Sequence, residues 1–182
     1  LTAQTVVAQT IDESLYNGGK ARVNRSASLR SLTEAVASAS CRANGGIGTE
    51  EAQRQLASWS AEFDTIIDAL VNGSPALGMP TPETRAKTLM VLNDTAMMWQ
   101  PLEIAAKKMS AASGSSADAT TISSSYRDLF EQTELLAAAI SGQYSDPQQL
   151  LQSDATVLNF AVRQRALAYR MTRAMCELAT GT

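Results

Sequence analysis

The sequence predicts an all-α, up-and-down bundle of four to five long helices, and three observations carry that prediction. Apolar residues make up 45% of the 182-residue chain while aromatic ones are only 5%. Ala and Leu are abundant where strand-forming β-branched and aromatic runs are scarce, which favours helix. Apolar side chains recur at three- and four-residue intervals between Gly- and Pro-rich stops, which is the spacing of one helix face. A chain of this length fits a single domain with a sizeable core, so residues 1–182 are taken as one unit.

The elements follow in order. Leu1 to about Tyr16 has helical composition and is expected to be interrupted at Asn17-Gly18-Gly19. A motif-bearing helix then spans 20–43, and Asn44-Gly45-Gly46 stops it. Thr49, with Glu50 and Glu51 behind it, looks like an N-cap with an acidic first turn. Leu56, Trp59, Phe63, Ile66, Ile67 and Leu70 form the apolar face of the next helix, which ends at Asn72-Gly73. Thr81-Pro82-Glu83 opens a third helix with Pro in a tolerated first turn. Its inner face carries Leu89, Leu92, Ala96, Trp99, Leu102 and Ala106, and Pro101 predicts a kink. After the connector at Ser113-Gly114-Ser115-Ser116, a fourth helix from about Asp118 to Ile140 turns Ile122, Tyr126, Leu129, Phe130, Thr133 and Leu136 inward. Ser145-Asp146-Pro147 starts the last helix, over 147–180.

The residue types that are missing narrow the function. There is no histidine, which removes the commonest general base and the commonest zinc and haem ligand. Two cysteines cannot build a four-thiolate metal site, and no Gly-rich phosphate loop or nucleophile elbow is present. The expectation is therefore a protein that is not an enzyme and holds no metal or cofactor. A net charge of -3 speaks against a nucleic-acid partner. No apolar run approaches the ~20 residues that span a bilayer.

An internal repeat is the most informative feature. Asn24, Arg30, Leu32, Cys41 and Gly46 match Asn159, Arg165, Leu167, Cys176 and Gly181 at one offset of 135 residues. Three helices separate the copies, so successive up-and-down connections return the last helix parallel to the first motif helix. In near register, Arg30 would face Arg165, and Cys41 and Cys176 would share one level, where either a disulfide or two buried free thiols would fit.

The second copy, Leu158-Asn159-Phe160-Ala161-Val162-Arg163-Gln164-Arg165-Ala166-Leu167-Ala168-Tyr169-Arg170-Met171, resembles the motif Asn-x-Ala-Gly-Arg-Gln-Arg-Met-Leu-Ser-Gln-Arg-Met. That motif marks the PilJ-type sensor family, the N-terminal domain of type IV pilus chemotaxis transducers. It is related to the P-box of nitrate-sensing histidine kinases. The first copy is similar through Val23 to Arg30, and Leu70-Val71-Asn72-Gly73, Leu77-Gly78-Met79-Pro80 and Trp99 look like the family's second and third helices.

The resemblance implies a bacterial, periplasmic or otherwise extracytoplasmic sensor of signal transduction or chemotaxis. In the family, paired motif helices hold a small anion such as nitrate or nitrite. Carried over, the ligand-binding positions are Arg30 and Arg165, Asn24 and Asn159, and Ala27 and Val162. The last two stand where the family has Gly, and each puts a side chain where a ligand would approach the backbone. A guanidinium offers a planar oxyanion a matching fork of donors. Attachment to membrane helices outside this chain and a homodimer are the further partners such a sensor implies. A free-standing periplasmic binding protein of the same fold and a helical protein-interaction module are the alternatives. Arg163 is expected on another face from Arg165, since residues two apart do not share one.

Overall fold

The structure, a computed structural model, describes residues 13–144 and 152–181, with side chains described over 18–144, at 157 and over 160–181. Five α-helices make up the described fold: α1 (Glu13–Asn44), α2 (Thr49–Asn72), α3 (Ala86–Ser110), α4 (Ser116–Tyr144) and α5 (Gln152–Thr180). A short 3-10 turn, Pro75–Leu77, lies between α2 and α3. The chain is an all-α, up-and-down bundle. Helices α1 to α4 pack as a square, α1 on α2 and α4, and α3 on the same two, while α5 lies on the outer side of α1.

Burial of α1 from both sides explains its composition. Every residue from Ser31 to Ser40 is buried, which an outer helix of a four-helix bundle does not permit. Large side chains could not fill both faces, so the run is built of Ser, Ala, Thr and one Glu between Leu32 and Val36. Two of its hydroxyls bond within the helix: Ser31 donates to the Ser28 carbonyl at 2.8 Å and Thr33 to that of Leu29 at 2.9 Å. The apolar core proper lies inside the square, where Leu29, Leu56, Phe63, Ile66, Leu92, Leu102, Ile122, Leu129 and Leu136 are all but inaccessible. Phe63 stacks on Trp99 with ring centroids 4.2 Å apart, and the Trp99 indole donates to Asp64 Oδ1 at 2.6 Å.

Several expected boundaries shift. Asn17-Gly18-Gly19 does not interrupt a helix, because α1 runs through it. The two glycines are contact points: a Cβ on Gly18 would lie 3.4 Å from Pro80 Cδ, and one on Gly19 would lie 3.3 Å from Tyr144 Cβ. Thr49 is the first helical residue, and the cap position is Gly48, at φ 58°. Helix α3 begins at Ala86, not at Thr81. Glu83 is diverted from the helix because its carboxylate accepts from the backbone N–H of Thr84 and Arg85, at 2.8 and 3.0 Å. Leu89 is 37% exposed and so leaves the expected inner face. Helix α3 continues across Pro101, which lies on its exposed side.

The loop before α3 is clamped to the start of α1 by a buried polar cluster. Arg22 reaches the Thr81 carbonyl and comes within 3.8 Å of Glu83 Oε2. Tyr144 donates to Glu83 Oε2 and Gln143 to Glu83 Oε1, each at 2.9 Å. At the opposite end Ser40 meets Met109 at 3.2 Å and Arg42 donates to Gln55. These contacts fix the alternating directions of α1 to α4 and leave α5 parallel to α1.

Candidate ligand-binding cleft

Helix α5 meets α1 along a stripe that repeats every seven residues. Val162, Ala166, Tyr169, Arg173, Cys176 and Thr180 are buried or half-buried, and the residues between them are exposed apart from Glu177. A seven-residue repeat is the period of two helices wound gently around each other. Cys41 and Cys176 form a disulfide with their Cα atoms 6.3 Å apart, which ties the C-terminal ends of α1 and α5. Close approach there requires Gly45, where a Cβ would come 2.4 Å from Thr180 Cγ2. On the α2 side, Trp59 meets Tyr169 edge to face at 5.1 Å.

Charge holds the middle of α5. Glu34 of α1 has a fully buried side chain. Arg170 donates through Nε at 2.8 Å and places Nη2 2.7 Å from the same Glu34 oxygen, and Arg173 Nε lies 3.6 Å from the other. Both guanidiniums also cover aromatic rings of α4: Arg173 sits 4.3 Å above Tyr126 and Arg170 lies 5.2 Å from the Phe130 centroid. Glu34 therefore sits between two cations, each stacked on an aromatic face.

Beside this hub, where α5 crosses the seam between α1 and α4, a cleft of about 320 Å³ opens. Arg30 enters it from α1, with Nη1 3.5 Å from Glu134 Oε1 of α4. Arg163 and Arg170 enter from α5, and Phe130, Val162, Ala166 and Leu167 supply the apolar wall. Arg163 is exposed, lines the cleft and forms no ion pair among the described residues. Arg30 is paired with Glu134 and Arg170 with the buried Glu34, so Arg163 is the guanidinium that gives the cleft its cationic surplus in a chain whose net charge is -3. Such a site attracts anions, and the apolar wall lowers the local dielectric that strengthens the attraction. No group of three or more potential metal-ligating side chains occurs among the described residues.

The structure brings some of the expected residues together and separates others. Arg30 and Val162 line the cleft. Arg165 is exposed and does not line it, and Arg163 stands in its place. The repeat pairs Arg165 with Arg30 because each lies 11 residues before a bonded cysteine. Arg163 and Arg165 lie about 200° apart around the helix, so the side of α5 that lines the cleft carries Arg163 and turns Arg165 away from it. Ala27 is buried in α1 away from the cleft lining, and Asn24 has a buried side-chain oxygen with no hydrogen-bond partner. The side chain of Asn159 lies outside those described. Sequence reasoning missed Glu34, Glu134, Arg170 and Arg173. The three- and four-residue spacing of Arg163, Ala166, Arg170 and Arg173 would have placed those arginines on one face of α5.

No family model, curated protein or solved structure matches the chain. What fold and cleft define is a class: a four-helix bundle with a fifth helix bound to its first by a disulfide and a buried Glu–Arg hub.

Proposed function

We propose that this chain is an extracytoplasmic ligand-binding sensor domain of a bacterial signalling protein, and that its ligand is a small planar oxyanion of the nitrate, nitrite or carboxylate kind. The observation that carries the reading is the convergence of Arg30, Arg163 and Arg170 on one cleft with a single carboxylate among its lining. Planar forks of donors match planar oxyanions, and an anion in the cleft would balance the charge of Arg163 beside the carboxylate-paired Arg30 and Arg170. The Cys41–Cys176 disulfide supports a location in an oxidising compartment. The parallel placement of α1 and α5 supports signalling, because a ligand touching both helices alters their relative position where flanking segments would read it. In this mechanism the anion draws Arg163 toward Arg30, and α5 shifts along α1 by an ångström or two.

Thermal unfolding of the chain with nitrate, nitrite, acetate, chloride and sulfate tests the reading. A specific ligand at about a hundred times its Kd should raise Tm by roughly 5–10 °C for a chain of this size. Chloride at equal ionic strength should leave Tm unchanged. Equal Tm values in all five salts would remove the proposal.

A further inference from the structure

A second cleft, of about 590 Å³, opens between α1, α4 and α5 on the disulfide side of the Glu34 hub. Arg170 faces the first cleft and Arg173 the second, so the two meet at the hub. The volume is that of a small-molecule site, but the lining differs in kind from that of the first cleft. Polar side chains make up most of it.

The charges of the second cleft come in both signs. Arg173 is spent on Glu34 and Glu177. Arg127 and Asp128, consecutive on α4, line the cleft, are exposed and form no ion pair among the described residues. The cleft therefore offers one unpaired cation and one unpaired anion, where the first offers Arg163 alone. Glu177 accepts from Arg173 Nη1 through Oε1, which leaves its other oxygen as a further acceptor.

The hydroxyls of the lining have already placed their protons. Ser40 donates to Met109 Sδ at 3.2 Å and Thr120 to the Ser116 carbonyl at 2.8 Å. Ser123 donates to the Thr120 carbonyl at 3.1 Å and Ser124 to that of Thr121 at 3.2 Å. Thr180 donates to the Cys176 carbonyl at 2.9 Å. These oxygens therefore meet a ligand as acceptors.

We propose that this cleft is a second binding site, and that its ligand is a free amino acid held as a zwitterion. Its carboxylate takes the guanidinium fork of Arg127. Its ammonium, with three donors, takes Asp128, the open oxygen of Glu177 and a wall hydroxyl. Arg127 and Asp128 are one helical step of about 1.5 Å apart, so a compact molecule reaches both. A simple anion would meet the unpaired Asp128, and a simple cation the unpaired Arg127. A neutral polyol would need the protons that the wall hydroxyls have given to carbonyls and to Met109. The volume left beyond the two charged heads accommodates a side chain. The inference does not depend on what the first cleft binds.

Calorimetric titration of the full chain with the common L-amino acids, one at a time, is the test. The tightest binder is then compared with its N-acetyl form, which lacks the ammonium, with its amide, which lacks the carboxylate, and with glucose. At least one amino acid should bind with a Kd of about 1 mM or below, and each altered form should lose about tenfold or more. Arg127→Ala should lose about tenfold for the free amino acid yet bind the amide as wild type does. Asp128→Asn should show the same pattern with the N-acetyl form. Both positions are exposed, so Tm should not change. Arg163→Ala should bind the amino acid as wild type does, which separates this site from the first cleft. No amino acid binding below about 10 mM would overturn the proposal. Equal binding of glucose, binding indifferent to Arg127→Ala or to Asp128→Asn, or binding lost in Arg163→Ala would do the same.

Discussion

Glu34 shows what one side chain does in this molecule. A buried carboxylate is tolerable only with partners, and Arg170 and Arg173 both supply charge from α5. Arg173→Ala, with Arg170 left in place, should cost about 1–3 kcal/mol in urea unfolding, and removing both arginines should approach the ~3–5 kcal/mol of an abandoned buried charge. The loop clamp titrates at its two ends. Burial, then its bond to Glu83, pushes the Tyr144 phenol up to about 12. Its stabilising effect is therefore whole below its ordinary value of 10.0 and is lost as pH rises from there towards 12. For Glu83, burial pushes the carboxyl up, but the Arg85 N–H, Gln143, the Thr84 N–H and Tyr144 together outweigh it and hold it below the ordinary 4.5. That contribution is present above pH 4.5 and fades as pH falls through the folded value. Unfolding free energy measured against pH should thus fall off at both ends. Tyr144→Phe should remove the alkaline limb and, by taking one donor from Glu83, make the acid limb shallower.

At the scale of the element, α5 explains both the success and the failure of the sequence reading. Helix type, the Asn-Gly stops and the parallel return were legible, because turn residues and an odd number of intervening helices leave little choice. The Asn17-Gly18-Gly19 stretch misled because a glycine pair signals a break and a close contact equally well, and only the distant residues Pro80 and Tyr144 decide between them. The partner of Arg30 misled for a subtler reason: matched sequence positions are matched levels, but azimuth depends on the winding of the pair. Arg163 and Arg165 are two residues and so about 200° apart, and the side of α5 that turns to α4 decides which one enters the cleft. Gly45 tests how tightly α5 is held. Gly45→Ala should destabilise by about 1–3 kcal/mol through overpacking, and Thr180→Ser, which removes the opposing methyl, should restore much of the loss.

Across the whole molecule, α5 is the helix outside the square of α1 to α4. Its inner stripe is mixed, and the disulfide closes a loop with a sequence separation of 135. Replacing both cysteines by Ser should lower stability by about 2–5 kcal/mol and expose α5 to protease before the square of α1 to α4. Such a helix, fixed at one end and held mid-length by salt bridges, is suited to respond to a ligand between itself and α1. The central claim is that the cleft at Arg30, Arg163 and Arg170 is the ligand site, and calorimetric titration of Arg163→Ala beside Arg165→Ala tests it most directly. With the anion that raises wild-type Tm, Arg163→Ala should lose at least about tenfold in affinity and Arg165→Ala should bind as wild type does. Unchanged binding in Arg163→Ala with loss in Arg165→Ala would contradict the account and return the site to the opposite flank of α5.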